Sequence, residues 1–450
     1  MRRQILQPGF LPPGVTRFVV SLREDGFTRS VAVLAGGTAT GQAINVLMAP
    51  VVTRLFAPAD VGRIGLYLVF IDLASVALLL RLETALVSGR TDREAAQLAV
   101  LAFLVLPLTA VAASVLFYVL ISQAIGGYNV LERSSALWMV LSLALAGTVA
   151  VLRYWLVRAN RFRPISQAII TQNAGRAAAQ VGFGAAGFGW LGLLAADLLG
   201  RGAGLVVTVR AAARAVVAEA GPLRELPARA LLRRYWRFPV LALPSSFLDA
   251  FALALPIPLI TSLYGVEAAG LFVLVQLVLA LPTAVIGASV ADAFHGRIAL
   301  LARESPELAA GLFKRTGIAL MAIGTPITAA GMLLVPFVFD TIFGEVWHAA
   351  GPLVVVMAPW ALASLVVGPL SRVVFVYDGQ GLKAVYDVLV LILVFGSLTW
   401  SAQAGLHLTG AVTVLSVVRV AAYGVYLGLL IWLMRRSGRP SAGEGPAAAA

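Results

Sequence analysis

Six arginines stand inside stretches that are otherwise apolar. Arg176, Arg201 and Arg419 lie near the middle of such runs, and Arg81, Arg153 and Arg372 lie a turn or two from an end. A charged side chain at mid-bilayer costs about 2.5–3.5 kcal/mol on insertion scales, so each of these positions predicts a wet cavity or a partner. Guanidinium is planar, stays charged when desolvated and binds phosphate oxygens two at a time. Together the six predict a cationic chamber for a phosphate-bearing anion. Taken singly, each has a competing reading, pairing within its own helix bundle or snorkelling to the interface. Arg201 has Asp197 one turn before it, which predicts an intrahelical bridge, whereas Arg176 and Arg419 have no carboxylate at helical spacing and are the stronger candidates.

Two acids share these runs. Asp72 stands near the middle of its helix, too deep to snorkel. Glu83 lies two residues from Arg81, a spacing that sends the pair to different faces of one helix, so Glu83 reads either as a gate partner for a basic residue elsewhere or as half of a local salt bridge. Other chemistries find little support. There is no Cys, and His295, His348 and His407 are scattered, so neither a metal centre nor a cofactor is expected. No G-x-x-x-x-G-K-[ST] segment exists to hold a nucleotide, and no convergent pair of carboxylates suggests acid–base catalysis.

The elements that position these groups are membrane helices. The chain of 450 residues is 60% hydrophobic and 12% charged, with a mean hydropathy of +0.92. Twelve apolar runs are each long enough for a bilayer crossing: 31–56, 62–88, 95–122, 134–158, 164–187, 189–216, 239–263, 269–294, 313–339, 349–377, 382–404 and 409–435. With the N-terminus inside, 25 Lys and Arg fall in the inner segments and only Arg54, Arg63 and Arg133 at the outer ones. That bias places both termini in the cytoplasm, and it explains the net charge of +13 by the membrane rather than by nucleic acid. The expected organisation is a basic segment (1–30), a six-helix lobe (31–216), a linker (217–238), a second six-helix lobe (239–435) and a disordered tail (436–450). Arg224, Arg229, Arg233, Arg234 and Arg237, set among Leu231, Leu232, Tyr235 and Trp236, make the linker read as an amphipathic surface helix that anchors to anionic membrane lipids.

A doubled spelling supports the two-lobe division. Pro50, Thr53, Leu55, Phe56 and Gly62 recur without a gap as Pro258, Thr261, Leu263, Tyr264 and Gly270, each set closing an apolar run. Such a pattern marks a duplicated membrane unit, and it predicts a hinge or outer gate where the copies meet. The run Leu34-Ala35-Gly36-Gly37-Thr38 with Thr53-Arg54-Leu55-Phe56 is followed by Pro58-Ala59-Asp60-Val61-Gly62 and Leu80-Arg81-Leu82-Glu83-Thr84-Ala85. Through Tyr154-Trp155-Leu156 and Asn160-Arg161-Phe162-Arg163 the chain resembles the polysaccharide-unit (Wzx-type) flippases of the multidrug/oligosaccharidyl-lipid/polysaccharide exporter superfamily. The likeness covers the first eight runs in motif and the last four in helix count and spacing.

The resemblance implies an all-α inner-membrane carrier that moves undecaprenyl-pyrophosphate-linked oligosaccharide units outward by alternating access, with a polysaccharide polymerase and chain-length proteins as partners. It also implies cation coupling. Related lipid II flippases place a sodium site between carboxylates of the seventh and eleventh spans, which Asp249 and Asp387 match by span. Lys383, one turn before Asp387, departs from that pattern and points to an ion pair, leaving proton coupling open. Tyr67, Trp155 and Trp360 are candidates for a sugar platform or for interfacial belts. The rival readings are a lipid II flippase, a multidrug exporter of the same superfamily, and a membrane oligosaccharide polymerase or ligase. Buried arginines oppose the multidrug exporter, whose cationic cargo favours acidic cavities. Short outer loops oppose the enzyme.

Overall fold

The computed structural model describes residues 26–436, so the N-terminal segment up to residue 25 and the tail from 437 lie outside it. The described residues form seventeen α-helices and no strand, an all-α architecture. The first half runs α1 (Gly26–Leu55), α2 (Pro58–Leu78), α3 (Leu82–Val87), α4 (Asp92–Ser122), α5 (Ser135–Arg158), α6 (Phe162–Ala185) and α7 (Gly189–Ala220). A short α8 (Ala228–Arg234) leads into α9 (Leu243–Ala254), α10 (Pro256–Tyr264), α11 (Val266–Pro282), α12 (Ala288–Glu304) and α13 (Pro306–Phe343). The chain ends with α14 (Gly351–Leu370), α15 (Val373–Val376), α16 (Gln380–Gln403) and α17 (Leu408–Arg436). Among the described residues nine helical segments are long and apolar enough to cross a membrane, and α11 is a shorter apolar one. Helix α6 is not among the nine: Gln167, Gln172, Asn173, Arg176 and Gln180 give it a polar character that suits a wet interior.

Helix breaks decide where the charged groups point. The run over 62–88 is interrupted at Leu80 and Arg81, which adopt the left-handed conformation (φ 52° and 62°) that costs L-residues roughly 1–2 kcal/mol each. The break turns Arg81 back toward Glu83, so their side chains approach to 3.7 Å. The expectation that two-residue spacing separates them fails because the helix is not continuous there. In α9 and α10 the cause is proline. Pro256 has no N–H to donate to the Ala252 carbonyl one turn earlier, which frees that oxygen for another donor.

The linker docks on the protein. Leu231 and Tyr235 are buried, Arg234 Nη1 lies 3.0 Å from Glu94 Oε1, and Arg93 Nη2 lies 2.9 Å from Glu225 Oε2. Burial, reinforced by the Glu94 carboxylate, pushes the Tyr235 phenol above its ordinary value. Arg229, Arg233 and Trp236 remain exposed.

The two copies of the doubled pattern meet. Gly62 on α2 lies against the start of α11, where a Cβ would strike the Val266 carbonyl oxygen, and a Cβ on Gly270 would strike the Pro58 carbonyl oxygen. Only hydrogen side chains permit this crossing. Each copy also receives a short helical turn from the other half. Trp347 Nε1 donates to the Thr53 carbonyl oxygen at 2.8 Å, and Gly127 (φ 75°) presses on Thr261 and Ser262. Arg54 Nη2 donates to the Thr341 carbonyl oxygen at 2.7 Å. This end of the bundle is therefore closed by contacts between the halves. Replacing Gly62 with Leu is expected to destabilise the fold by about 1–3 kcal/mol, the usual cost of overpacking. Gly36→Leu, at a position with open space around it, is the control. Equal thermal midpoints for the two variants would contradict the tight crossing.

Candidate functional site

In the first half, one carboxylate serves two guanidiniums. Asp197, on α7 and 1% exposed, places Oδ1 2.6 Å from Arg176 Nη2 and Oδ2 2.6 Å from Arg201 Nε. The Arg201 contact is the bridge predicted from helical spacing. The Arg176 contact crosses from α6, and small residues make it reachable. A Cβ on Gly200 would stand 2.7 Å from the Gln172 carbonyl oxygen and 2.8 Å from Arg176 Cβ, and one on Gly175 would stand 3.3 Å from Ala203 Cβ. Glycine thus lets α6 and α7 approach closely enough to bring Arg176 beside Asp197. Arg176 has no carboxylate at helical spacing on its own helix; its partner comes from the neighbouring one, the pairing within the bundle that was its competing reading, and spacing along one helix says nothing about a neighbouring helix.

Two cavities open from this cluster. Arg176 and Asp197 line one of about 210 Å³ with Asn45, Thr53 and Gln180, and Val273 and Leu277 of α11 close its far side, so it lies between the two halves. Arg201 lines another of about 320 Å³ with Arg153, Tyr154 and Gln172. Arg153 is exposed and has no ion pair among the described residues. The exposed carboxylate of Asp72 lies in the field of Arg201, Asp197 and Arg176. The structure thus brings Arg176 and Arg201 together on Asp197, with Arg153 sharing a cavity with Arg201, whereas Asp72 makes no ion pair or hydrogen bond to them among the described residues. Arg81 and Glu83 pair with each other instead, leaving Arg81 Nε and Glu83 Oε2 buried without a hydrogen bond. Arg372 is exposed at the start of α15, and among the described residues no ion pair or side-chain hydrogen bond joins it to either cluster.

In the second half the stoichiometry is inverted. Lys383 Nζ, on α16, lies 2.8 Å from Asp249 Oδ1 on α9 and 2.6 Å from Asp387 Oδ2 one turn along its own helix. The two predicted carboxylates are brought together with an ammonium between them. Among the described residues no group of three or more His, Cys, Asp and Glu is arranged to hold a metal ion. Nearby, Arg419 on α17 is 5% exposed. Its Nη2 donates to the Ala252 carbonyl oxygen at 3.2 Å, the acceptor that Pro256 leaves free. Its guanidinium sits 5.1 Å from the centroid of the Trp360 ring, a cation–π contact, and its Nε has no partner. Tyr386 and Tyr426 stack alongside, with centroids 4.3 Å apart.

The aromatic candidates divide. Tyr67 is fully buried with its hydroxyl 2.8 Å from Ser142 Oγ, and Trp155 is also buried. Both are core residues rather than platform or belt. Trp360 is tied to Arg419 and packs near Phe272.

No curated protein matches the chain in sequence. Solved structures match it in fold. The lipid II flippase MurJ, in an inward closed conformation, superposes with a TM-score of 0.69 at 10% identity, covering 90% of each chain. A MATE transporter of Vibrio cholerae gives 0.58 at 14% identity, over 94% of this chain and 98% of its own. A MOP superfamily transporter from Pyrococcus furiosus gives 0.54 at 17% identity, over 92% and 97%. At these identities the likeness establishes the fold of the MOP superfamily transporters. The model of a family described as polysaccharide biosynthesis protein matches residues 51–352, well over half of the chain. The chain belongs to that family, and it carries the family's sequence on a MurJ- and MATE-like membrane-transporter fold.

Proposed function

We propose that this protein is a flippase of the bacterial inner membrane that moves undecaprenyl-pyrophosphate-linked oligosaccharide units outward by alternating access, driven by a cation gradient. The observation that carries the reading is the opposite charge excess of the two ion-paired triads. In the first half two guanidiniums share one carboxylate, and in the second half two carboxylates share one ammonium. The first triad faces a cavity between the halves and has cationic capacity left for a diphosphate, with Arg153 adding a further guanidinium near Arg201. A diphosphate offers more acceptor oxygens than Asp197, so it can engage Arg176 while Asp197 keeps Arg201.

The second triad suits coupling. Protonation of Asp249 or Asp387 would free Lys383 to bind the remaining carboxylate, which changes the tie between α9 and α16 without any exchangeable metal ion. Helix α9 is a separate twelve-residue segment between a π-turn (Phe238–Ala242) and Pro256, so a changed tie can be expressed as movement of that segment. Both carboxylates being held by Lys383 also leaves them poorly placed for the acid–base work of a polymerase or ligase. Arg419, fixed by the Ala252 carbonyl and Trp360, supplies a rigid aromatic and cationic wall on the same side. Arg81 and Glu83 fit a gate at the helix break, and Arg372 a contact with lipid headgroups.

Two measurements test this reading in proteoliposomes carrying a fluorescent undecaprenyl-pyrophosphate oligosaccharide. Arg176→Gln removes one charge-assisted contact, worth about 1.5–3 kcal/mol, and is expected to weaken cargo affinity roughly tenfold or more while the protein still inserts. Unchanged affinity and rate would remove Arg176 from the site. With a fixed pH gradient, exchanging sodium for choline is expected to leave the wild-type rate unchanged, whereas Asp249→Asn lowers it several-fold. A rate that follows sodium at constant pH would overturn proton coupling through this triad.

A further inference from the structure

The turn joining α5 to α6 has a counterpart between α15 and α16 with the same backbone and different chemistry. Each places one residue in the left-handed conformation, Asn160 (φ 53°) and Asp378 (φ 51°). Each then closes a bond back to the preceding helix, Arg161 N to the Leu156 carbonyl oxygen and Gly379 N to the Val374 carbonyl oxygen, both at 2.8 Å. Beyond the turn the first copy reads Arg161-Phe162-Arg163-Pro164 and the second Gly379-Gln380-Gly381-Leu382. Since the second copy makes the turn with glycines, the turn does not require arginines. Guanidiniums at this point also oppose the dipole of α6, so helix stability does not explain them.

Both arginines line a cavity of about 490 Å³, bounded by Val33 of α1 and completed by Asn160, Phe162, Pro164 and Gln167. Among the described residues no carboxylate lines it. Arg161 Nη1 donates to the Ala211 carbonyl oxygen at 2.8 Å, which fixes that guanidinium against α7. Arg163 is exposed and has neither an ion pair nor a hydrogen bond among the described residues. One pinned and one free guanidinium, flanked by the side-chain amides of Asn160 and Gln167, match the donor set that a phosphate group takes. Arg163 precedes Arg176 by thirteen residues on the same helix, a rise of about 20 Å. The cavity therefore cannot be part of the Arg176 cluster, and the two share no lining residue.

We propose that this cavity is a second anion site, which takes a phosphate-bearing headgroup at the end of the bundle remote from the Gly62–Gly270 crossing. The inference does not depend on what Arg176 binds. The shared chemistry is phosphate, whether presented by an anionic phospholipid of the bilayer or by a lipid-linked diphosphate.

The natural chain has no cysteine, so a fluorophore on Ala159→Cys, adjacent to the cavity but outside its lining, reports on this site alone. With full-length protein in nanodiscs of neutral lipid, inorganic pyrophosphate is expected to give a saturable response. Arg163→Gln should weaken it about tenfold, Arg163→Lys should restore part of the loss, and Gln167→Ala should weaken it about threefold. Arg233→Gln, an exposed arginine outside the cavity, should leave it unchanged. Competition by phosphatidylglycerol in the nanodisc would assign the site to bilayer lipid, and competition by undecaprenyl diphosphate alone to a lipid-linked anion; either supports a phosphate site. A response that does not saturate, or that falls equally in Arg163→Gln and Arg233→Gln, would show the arginines to be only part of the basic face and would overturn the proposal.

Discussion

One buried carboxylate governs the centre of the first half. Removing Asp197 from water costs several kcal/mol, and its attraction to Arg176 and Arg201 must offset that cost inside a low-dielectric bundle. Neither arginine can be lost without leaving the balance changed, and neither is fully neutralised, since one negative charge is divided between two positive ones. The close packing of α6 on α7 through Gly175, Gly200 and Gly204 exists at the same level as this triad, because the salt bridge between the helices needs that approach. The polar character of α6 follows as well: a helix that faces a cavity with Arg176 and Gln180 has no reason to be apolar on every side.

The second half answers with the opposite arrangement. Lys383 between Asp249 and Asp387 ties α9 to α16, and Arg419 on the carbonyl that Pro256 releases ties α9 to α17. Both ties hold the same twelve-residue segment, one by charge and one by an orphaned backbone acceptor. A change in protonation would alter the first and leave the second, which is the behaviour of a segment that pivots while one contact remains. At the other end of the bundle, Gly62 against Gly270 and Trp347 on Thr53 hold the halves together through backbone groups, with no titratable side chain in those contacts.

Much of this was legible in the sequence, and the gaps have physical causes. Apolar run length located the long helices, since a bilayer sets a minimum of about 20 residues whatever the packing, and among the described residues nine of the twelve runs coincide with helical segments long and apolar enough to cross. Pairs one turn apart on a single helix, Asp197 with Arg201 and Lys383 with Asp387, were readable from spacing. The contacts Arg176–Asp197 and Lys383–Asp249 were not, because they join residues on different helices and depend on which faces meet. The local salt bridge of Arg81 with Glu83 was one of two open readings, and the helix break that permits it was hidden for a different reason: Leu79-Leu80-Arg81 contains neither Gly nor Pro, so nothing local announces that the helix stops there. A proline at 256 implies a missing backbone donor, yet the consequence, a free carbonyl for Arg419, depends on α17 passing beside it. The doubled Pro, Thr and Gly pattern marked duplication, and the structure adds that its two glycines face each other's helices.

In the proposed mechanism the spare positive charge on the Asp197 triad recognises a diphosphate. The most direct test of this compares the affinity of purified protein for undecaprenyl diphosphate and undecaprenyl monophosphate, in the wild type and in Asp197→Asn. Neutralising the carboxylate removes the competitor for both guanidiniums, so the variant should bind each lipid more tightly and both proteins should prefer the diphosphate. Binding that is indifferent to the second phosphate, or that is lost when Asp197 is neutralised in a protein that remains folded, would contradict it.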